Sequence, residues 1–209
     1  MKKLIIIGAG GMGRSIYDLA MECAGNVSDY EIKGFIDDNI HALEKFKNYP
    51  PIIGTISDYK IVEGDVFVNS LGDIETKKKC IINILNKGGE FINLIHPMAI
   101  ISTNVTLGKG CVVESFVSIG VDAVVGDFAL IQNGAIVGHD VTIGNWSRID
   151  SYVVIVGGVT IGNEVCVHTA SIINHNVIIH DNACVGAGSF VIRDVKEYTT
   201  VFGNPAIRL

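Results

Sequence analysis

The chain has 209 residues, a formal net charge of −6 and no Lys/Arg run longer than Lys77-Lys78-Lys79, so no basic stripe exists to neutralise a nucleic-acid backbone. Its apolar content is 48%, yet no uninterrupted apolar run approaches the roughly 20 residues that span a bilayer, which argues against membrane insertion. Five scattered cysteines (23, 80, 111, 166, 184) lack any C-x-x-C spacing, and the opening "LIII" meets glycines rather than a cleavage-site pattern; a reduced, cytoplasmic protein without a signal peptide is expected.

Residues 1–95 read as alternating strands and helices. "KLIIIG" is a strand that ends in Gly8-Ala9-Gly10-Gly11-Met12-Gly13, the spacing G-x-G-x-x-G, and a helix follows to about Ala24. "EIKGFIDD" and "DVFVNS" are further strands, "DIETKKKCIINILNKG" is an amphipathic helix closing on Gly88-Gly89, and "EFINLI" is a last strand. This alternation indicates a parallel sheet with crossover helices. The set is too short for a full six-strand dinucleotide fold and amounts to half of one. Backbone N–H groups at the start of the first helix favour a phosphate of any origin, so the glycine loop alone is weak evidence for NAD, and with a β-prism following in place of a catalytic domain NAD is rejected.

From Ile95 the period changes. Every sixth residue from Ile95 to Val191 is Ile, Leu or Val, and the residue four places after each is small or β-branched. Gly recurs one place after the apolar residue at 108, 120, 126, 138, 144, 162 and 186. A period of six with two inward positions fits a coil whose short sides each bury one large and one small residue, with the glycines expected to relax the corners. Three hexapeptides make a triangular turn of 18 residues, which predicts a left-handed parallel β-helix over residues 96–209.

The hexapeptide run resembles the hexapeptide-repeat acyltransferases, as does the close "VFGNPAIRL", with Gly203, Pro205 and Ala206 of a G-x-P-A ending. The ordered set of glycine loop, "FIDD", "NSLGD", "NLIHPMAIIS" and "GAIVGHDVTIG" resembles, over nearly the whole chain, the sugar acyltransferases of the sialic acid O-acetyltransferase and PglD type. The resemblance implies a homotrimer, with sites between neighbouring prisms, that acetylates a nucleotide-activated amino sugar from acetyl-CoA without a metal. It makes a 4-amino group the preferred acceptor, O-acetylation of sialic acid or a related sugar the alternative, and surface glycans or glycoproteins the destination.

His139 falls two places after inward Val137, so its side chain points away from the core, and the 18-residue period puts Val121, Gly157 and His175 in its column. A glycine beside an outward histidine leaves a slot and a bare N–H for a thioester carbonyl. An imidazole titrating near neutrality suits removal of a proton from the attacking amine, and Asp140 is placed to orient it or raise its basicity. The family's "GHD" segment implies that His139 is the base. By position the resemblance also implies coenzyme contacts at Arg148, Gly157, Thr169 and Ala187, with the Gly157 amide facing the developing oxyanion. For the nucleotide sugar it implies Gly10, Gly11 and Met12, then Asp37 and Asp38, and Gly72. Asp38 reads equally as a helix N-cap before "NIHALEKF", and His96 as a linker residue between the two halves. The chain departs from the family pattern in carrying Gln132 where Asn is common and Arg148 where His is common, and in the segment "VCVHTASII", which lacks the expected glycine.

Two rival readings stand beside this one. His139, His175 and His180 have a spacing similar to the zinc ligands of γ-class carbonic anhydrases, which use the same prism. A trimeric scaffold without catalysis is the other.

Overall fold

A computed structural model of the chain describes residues 1–24 and 29–209, which divide into two compact units, Met1–Pro97 and Met98–Leu209. Among the described residues no helix is long and apolar enough to cross a membrane.

The first unit opens with β1 (Lys2–Ile7), α1 (Gly11–Ala24) and β2 (Tyr30–Ile36). It continues with β3 (Asp65–Asn69), α2 (Ile74–Asn86) and a two-residue β4 (Glu90–Phe91). All four strands are parallel, in the order β2-β1-β3-β4. A central parallel strand is covered on both faces and therefore reads as a continuous apolar run; Leu4 to Ile7 are all fully buried. α1 buries Gly13, Ile16, Leu19, Ala20 and Cys23, one stripe at helical spacing. α2 starts at Asp73, whose carboxylate accepts from the Thr76 N–H at 2.8 Å, and ends just before Gly88, at φ +85°.

Two expectations need correction in this unit. "EFINLI" is not one strand: β4 pairs with β3, and Leu94–Ile95 is a separate short strand. No helix follows Asp38; residues 40–45 are turns, and the Asp38 carboxylate accepts instead from the Ile56 N–H at 3.0 Å. His96 lies next to the boundary of the two units, is buried, and pairs through Nε2 with Glu22 of α1.

The second unit is a left-handed parallel β-helix. Its two-residue strands recur every six residues and pair in register with strands 18 residues away, for example Ile136 with Val154 and Val137 with Ile155. The first face is made of strands 106–107, 124–125, 142–143, 160–161 and 178–179. The second runs through 112–113, 130–131, 148–149, 166–167 and 184–185, and the third through 100–101, 118–119, 136–137, 154–155, 172–173 and 190–191. From Val113 to Val191 every sixth residue is buried, and so is its small partner four places on, from Cys111 to Val195. Thr200–Gly203 adds to the second face and folds back antiparallel onto Ala206–Arg208.

The glycines do not have the expected role. Gly108, 120, 126, 138, 144, 162 and 186 lie outside the left-handed region. A Cβ at any of the first six would come within 2.7 Å of the next coil's backbone, as Gly138 shows against the Gly157 nitrogen, so they permit close stacking of coils. The corners turn three places after each inward residue, where every sixth residue from Asn104 to Gly188 has φ between 56° and 73°. Only four of these are glycine, at 110, 134, 158 and 188. Asp140, Trp146 and Tyr152 take the conformation instead, at a cost of roughly 1–2 kcal/mol each.

Candidate active site

In the first unit the glycine loop joins β1 to α1 at the carboxyl ends of the parallel strands, where open α/β sheets bind ligands. Two of its glycines serve the fold: a Cβ on Gly13 would lie 2.1 Å from the Gly8 carbonyl oxygen, and Gly8 sits at φ +99° against Leu71. Gly10 and Gly11 have no such duty. A Cβ on Gly10 would meet nothing within 4 Å, and one on Gly11 only the Arg14 guanidinium at 3.9 Å. The bare backbone of Gly10 and Gly11 therefore faces open space at a helix N-terminus, with Met12 next in the chain.

Asp37 braces this loop. Its carboxylate accepts from the Ala9 N–H at 2.7 Å and from the Asn39 N–H at 2.8 Å. Asp38 is exposed beside it, and Gly72 lies between β3 and the Asp73 cap. The structure thus gathers the expected nucleotide residues at the same strand ends, but gives Asp37 a supporting task. Arg14, not foreseen from sequence, stacks its guanidinium over the Phe46 ring at 3.6 Å; nothing in the spacing of the two residues announces the contact.

In the second unit His139 stands on the corner that follows the third face, and Asp140 occupies the left-handed position of that corner. This conformation turns the carboxylate back on its neighbour: His139 Nδ1 and Asp140 Oδ2 are 2.7 Å apart. Both side chains are more than 60% exposed, so water screens the pair. The slot expected beside Gly157 is occupied by the histidine itself, since a Cβ on Gly157 would lie 2.4 Å from His139 Nε2. On the far side His175 Nδ1 donates to the Gly157 carbonyl at 3.3 Å, which gives the column His139, Gly157, His175.

Backbone availability separates this corner from the next. After the first face, Asp127, Asn145, Asn163 and Asp181 each accept from the N–H one coil earlier, at 2.7–3.0 Å, and so close that column. The His139 column has no such ladder. Among the described residues the N–H groups of Val121, His139 and Gly157 donate to no acceptor.

The expected coenzyme residues are divided between two corners. Gly157 stands with His139, whereas Thr169 and Ala187 share the column after the second face and Arg148 lies on that face itself. Arg148 is not a free cation: its Nε and Nη2 donate to the two oxygens of Asp150 at 2.5 and 3.1 Å. His180 belongs to yet another corner, after the first face, and among the described residues no group of three His, Cys, Asp or Glu side chains converges to hold a metal. At the carboxyl end a cavity of about 400 Å³ is lined by Val191, Arg193, Asp194, Lys196, Thr199 and Arg208, among others. The sequence scatters its three cations too widely for the cavity to be foreseen.

Residues 3–84 match the PglD N-terminal domain family, and residues 90–183 match the GMPPB C-terminal domain family. The acetyltransferase domain of PglB from Neisseria gonorrhoeae FA1090 superposes with a TM-score of 0.89 at 26% identity, over 100% of both chains. The first unit thus carries the pattern of the PglD N-terminal domain, and the whole chain shares the fold of the PglB acetyltransferase domain. A second neighbour, PerB from Caulobacter crescentus, was solved with CoA and GDP-perosamine; it superposes with a TM-score of 0.89 at 26% identity, over 100% of this chain and 98% of that one. Among curated proteins, the UDP-N-acetylbacillosamine N-acetyltransferase of Bacillus subtilis (strain 168) is 30% identical over 117 residues, or 54% of this chain. The chain spans about half of that relative's length, and 23% of a second curated relative's.

Proposed function

We propose that the chain transfers the acetyl group of acetyl-CoA to the 4-amino group of a nucleotide-linked amino-deoxy sugar, as a cytoplasmic homotrimer serving surface glycan or glycoprotein biosynthesis. The observation that carries this reading is the column in which an Asp-paired imidazole lies against a glycine whose N–H finds no acceptor among the described residues. The full-length likeness to a protein solved with CoA and a GDP-amino sugar supports the choice of substrates.

In the proposed reaction the sugar amine attacks the thioester carbonyl. His139 Nε2 removes the amine proton while Nδ1–H donates to Asp140, which keeps the accepting nitrogen outward. The Gly157 N–H, which donates to no acceptor among the described residues, stabilises the tetrahedral oxyanion. Collapse of that intermediate breaks the C–S bond, and the imidazolium returns its proton to the departing thiolate. Thr169 and Ala187 hold the coenzyme; Gly10, Gly11, Met12, Asp38 and Gly72 hold the nucleotide sugar.

The test is CoA release from acetyl-CoA with UDP-, dTDP- and GDP-linked 4-amino-4,6-dideoxy sugars, with His139→Ala as control. Turnover with one sugar, lost in the variant, establishes the reaction and its base. Absence of release with all three overturns N-acetylation and turns the search to sialic acid acceptors.

A further inference from the structure

The departures from the family pattern meet at one corner of the prism. Gln132, Asp150 and His168 occupy the same place in successive coils, each one residue past a strand of the second face, and Arg148 reaches the same spot from that face. On the first face this place is held by Gly108, Gly126, Gly144 and Gly162, because the next coil's backbone leaves no room for a Cβ. Here it carries polar side chains, and two of them, Asp150 and His168, form a network with Arg148.

Asp150 is its centre. Its side chain is 5% exposed and accepts from Arg148 on both oxygens and from His168 on one, with His168 Nδ1 3.0 Å from Oδ2. A carboxylate only accepts, so Nδ1 carries the proton and, in the neutral ring, Nε2 the lone pair. Among the described residues Nε2 has no partner, and the His168 side chain is 37% exposed. The result is an imidazole fixed from behind by a buried carboxylate, with an acceptor turned outward beside Thr169.

We infer that His168 positions the acyl donor, its Nε2 accepting an amide N–H from the pantetheine arm of acetyl-CoA. This rests on the proposed function, which runs the coenzyme along Thr169 and Ala187. Asp150 sets the ring's tautomer and orientation, and Arg148 holds Asp150, so that Arg148 is a positioning residue and not a coenzyme contact. The pantetheine arm has two amide N–H groups, and a neutral acceptor suits either without opposing the phosphates elsewhere on the coenzyme.

Calorimetric titration of the full chain with two ligands tests this: CoA, and 3′-phosphoadenosine 5′-phosphate, which lacks the pantetheine arm. His168→Ala weakens CoA about tenfold, the worth of one well-placed hydrogen bond, and leaves the second ligand unchanged. His168→Gln, whose amide oxygen also accepts, recovers most of the loss, and Asp150→Asn shows part of it. In turnover the loss falls on KM for acetyl-CoA and not on kcat. Equal affinity of His168→Ala and wild type for CoA overturns the inference, as does an equal loss for both ligands, which marks a structural effect. Failure of the wild-type chain to bind CoA overturns the donor assignment itself, and the inference with it.

Discussion

Two histidine–aspartate pairs stand on different corners of the same prism, and their surroundings differ more than their geometry. His139 and Asp140 are both largely exposed and adjacent in sequence, whereas His168 leans on an Asp150 that is almost fully buried and tied to Arg148. The first pair is held by backbone conformation, with Asp140 at φ 58°; the second is held by a side-chain network across two coils. An exposed imidazole is free to meet a substrate proton, and removing it disturbs little. A buried carboxylate is part of the fold, and removing it strands its partners.

The comparison breaks first at His139. Replacement with alanine lowers kcat by a hundredfold or more, the usual worth of a general base, and leaves the melting temperature within about 1 °C. A comparable melting loss would place this ring in the fold and not in the chemistry. At the other corner Asp150→Ala reverses the emphasis. It strands the half-buried Arg148 and frees His168, destabilising the chain by about 2 kcal/mol, which calorimetry reads as a fall in Tm of several degrees. Asp140→Ala, made alongside, leaves Tm unchanged because both members of its pair are in water.

Gly157→Ala tests the packing that joins base and backbone. The new Cβ falls 2.4 Å from His139 Nε2, so the ring must swing away while the backbone keeps an ordinary conformation. The expected result is about a tenfold loss of kcat, with Tm preserved and the affinity for the nucleotide sugar unchanged. Unaltered kcat would show that the seat of the ring on Gly157 is dispensable.

How much of this was legible follows from what each feature depends on. The six-residue repeat is a burial pattern, and from Val113 to Val191 burial follows it at every step. The column of His139 with Gly157 and His175 follows from the 18-residue period, whereas the pairing with Asp140 follows from adjacency and the left-handed corner. The corner chemistry was hidden, because the left-handed residues include Phe116, Trp146 and Tyr152, types that do not advertise that conformation; neighbouring coils impose it. Glycine spacing was visible but its cause was not, since close approach depends on the stacked coil and not on the local sequence. The pairing of Arg148 with Asp150 was hidden for a related reason: nothing in their spacing shows that the carboxylate is buried and turned to the guanidinium.

A last, smaller effect separates Asp150 from the other buried carboxyl of its column. Glu114 is 8% exposed and accepts from the Asn133 N–H at 3.1 Å, with no ion pair to a Lys, Arg or His among the described residues. Burial pushes its pKa above the ordinary 4.5, the Asn133 N–H pulls it partly back, and the charge of Asp150 adds to the rise. Asp65, at the edge of β3, shows the opposite outcome: burial raises it too, but Lys33, the Val62 N–H and Tyr59 together hold it below its ordinary value. A raised carboxyl pKa means that the folded chain binds the proton more tightly than the unfolded one. The contribution of Glu114 is therefore fully present below 4.5 and is lost as pH rises through its folded value. Glu114→Gln, which keeps an acceptor for Asn133 and has no charge to bury, should raise Tm by roughly 2 °C at pH 7 and by less at pH 4. A gain that is equal at both pH values would mean that the buried charge is compensated within the column, and that Asp150 and Glu114 differ only in their partners.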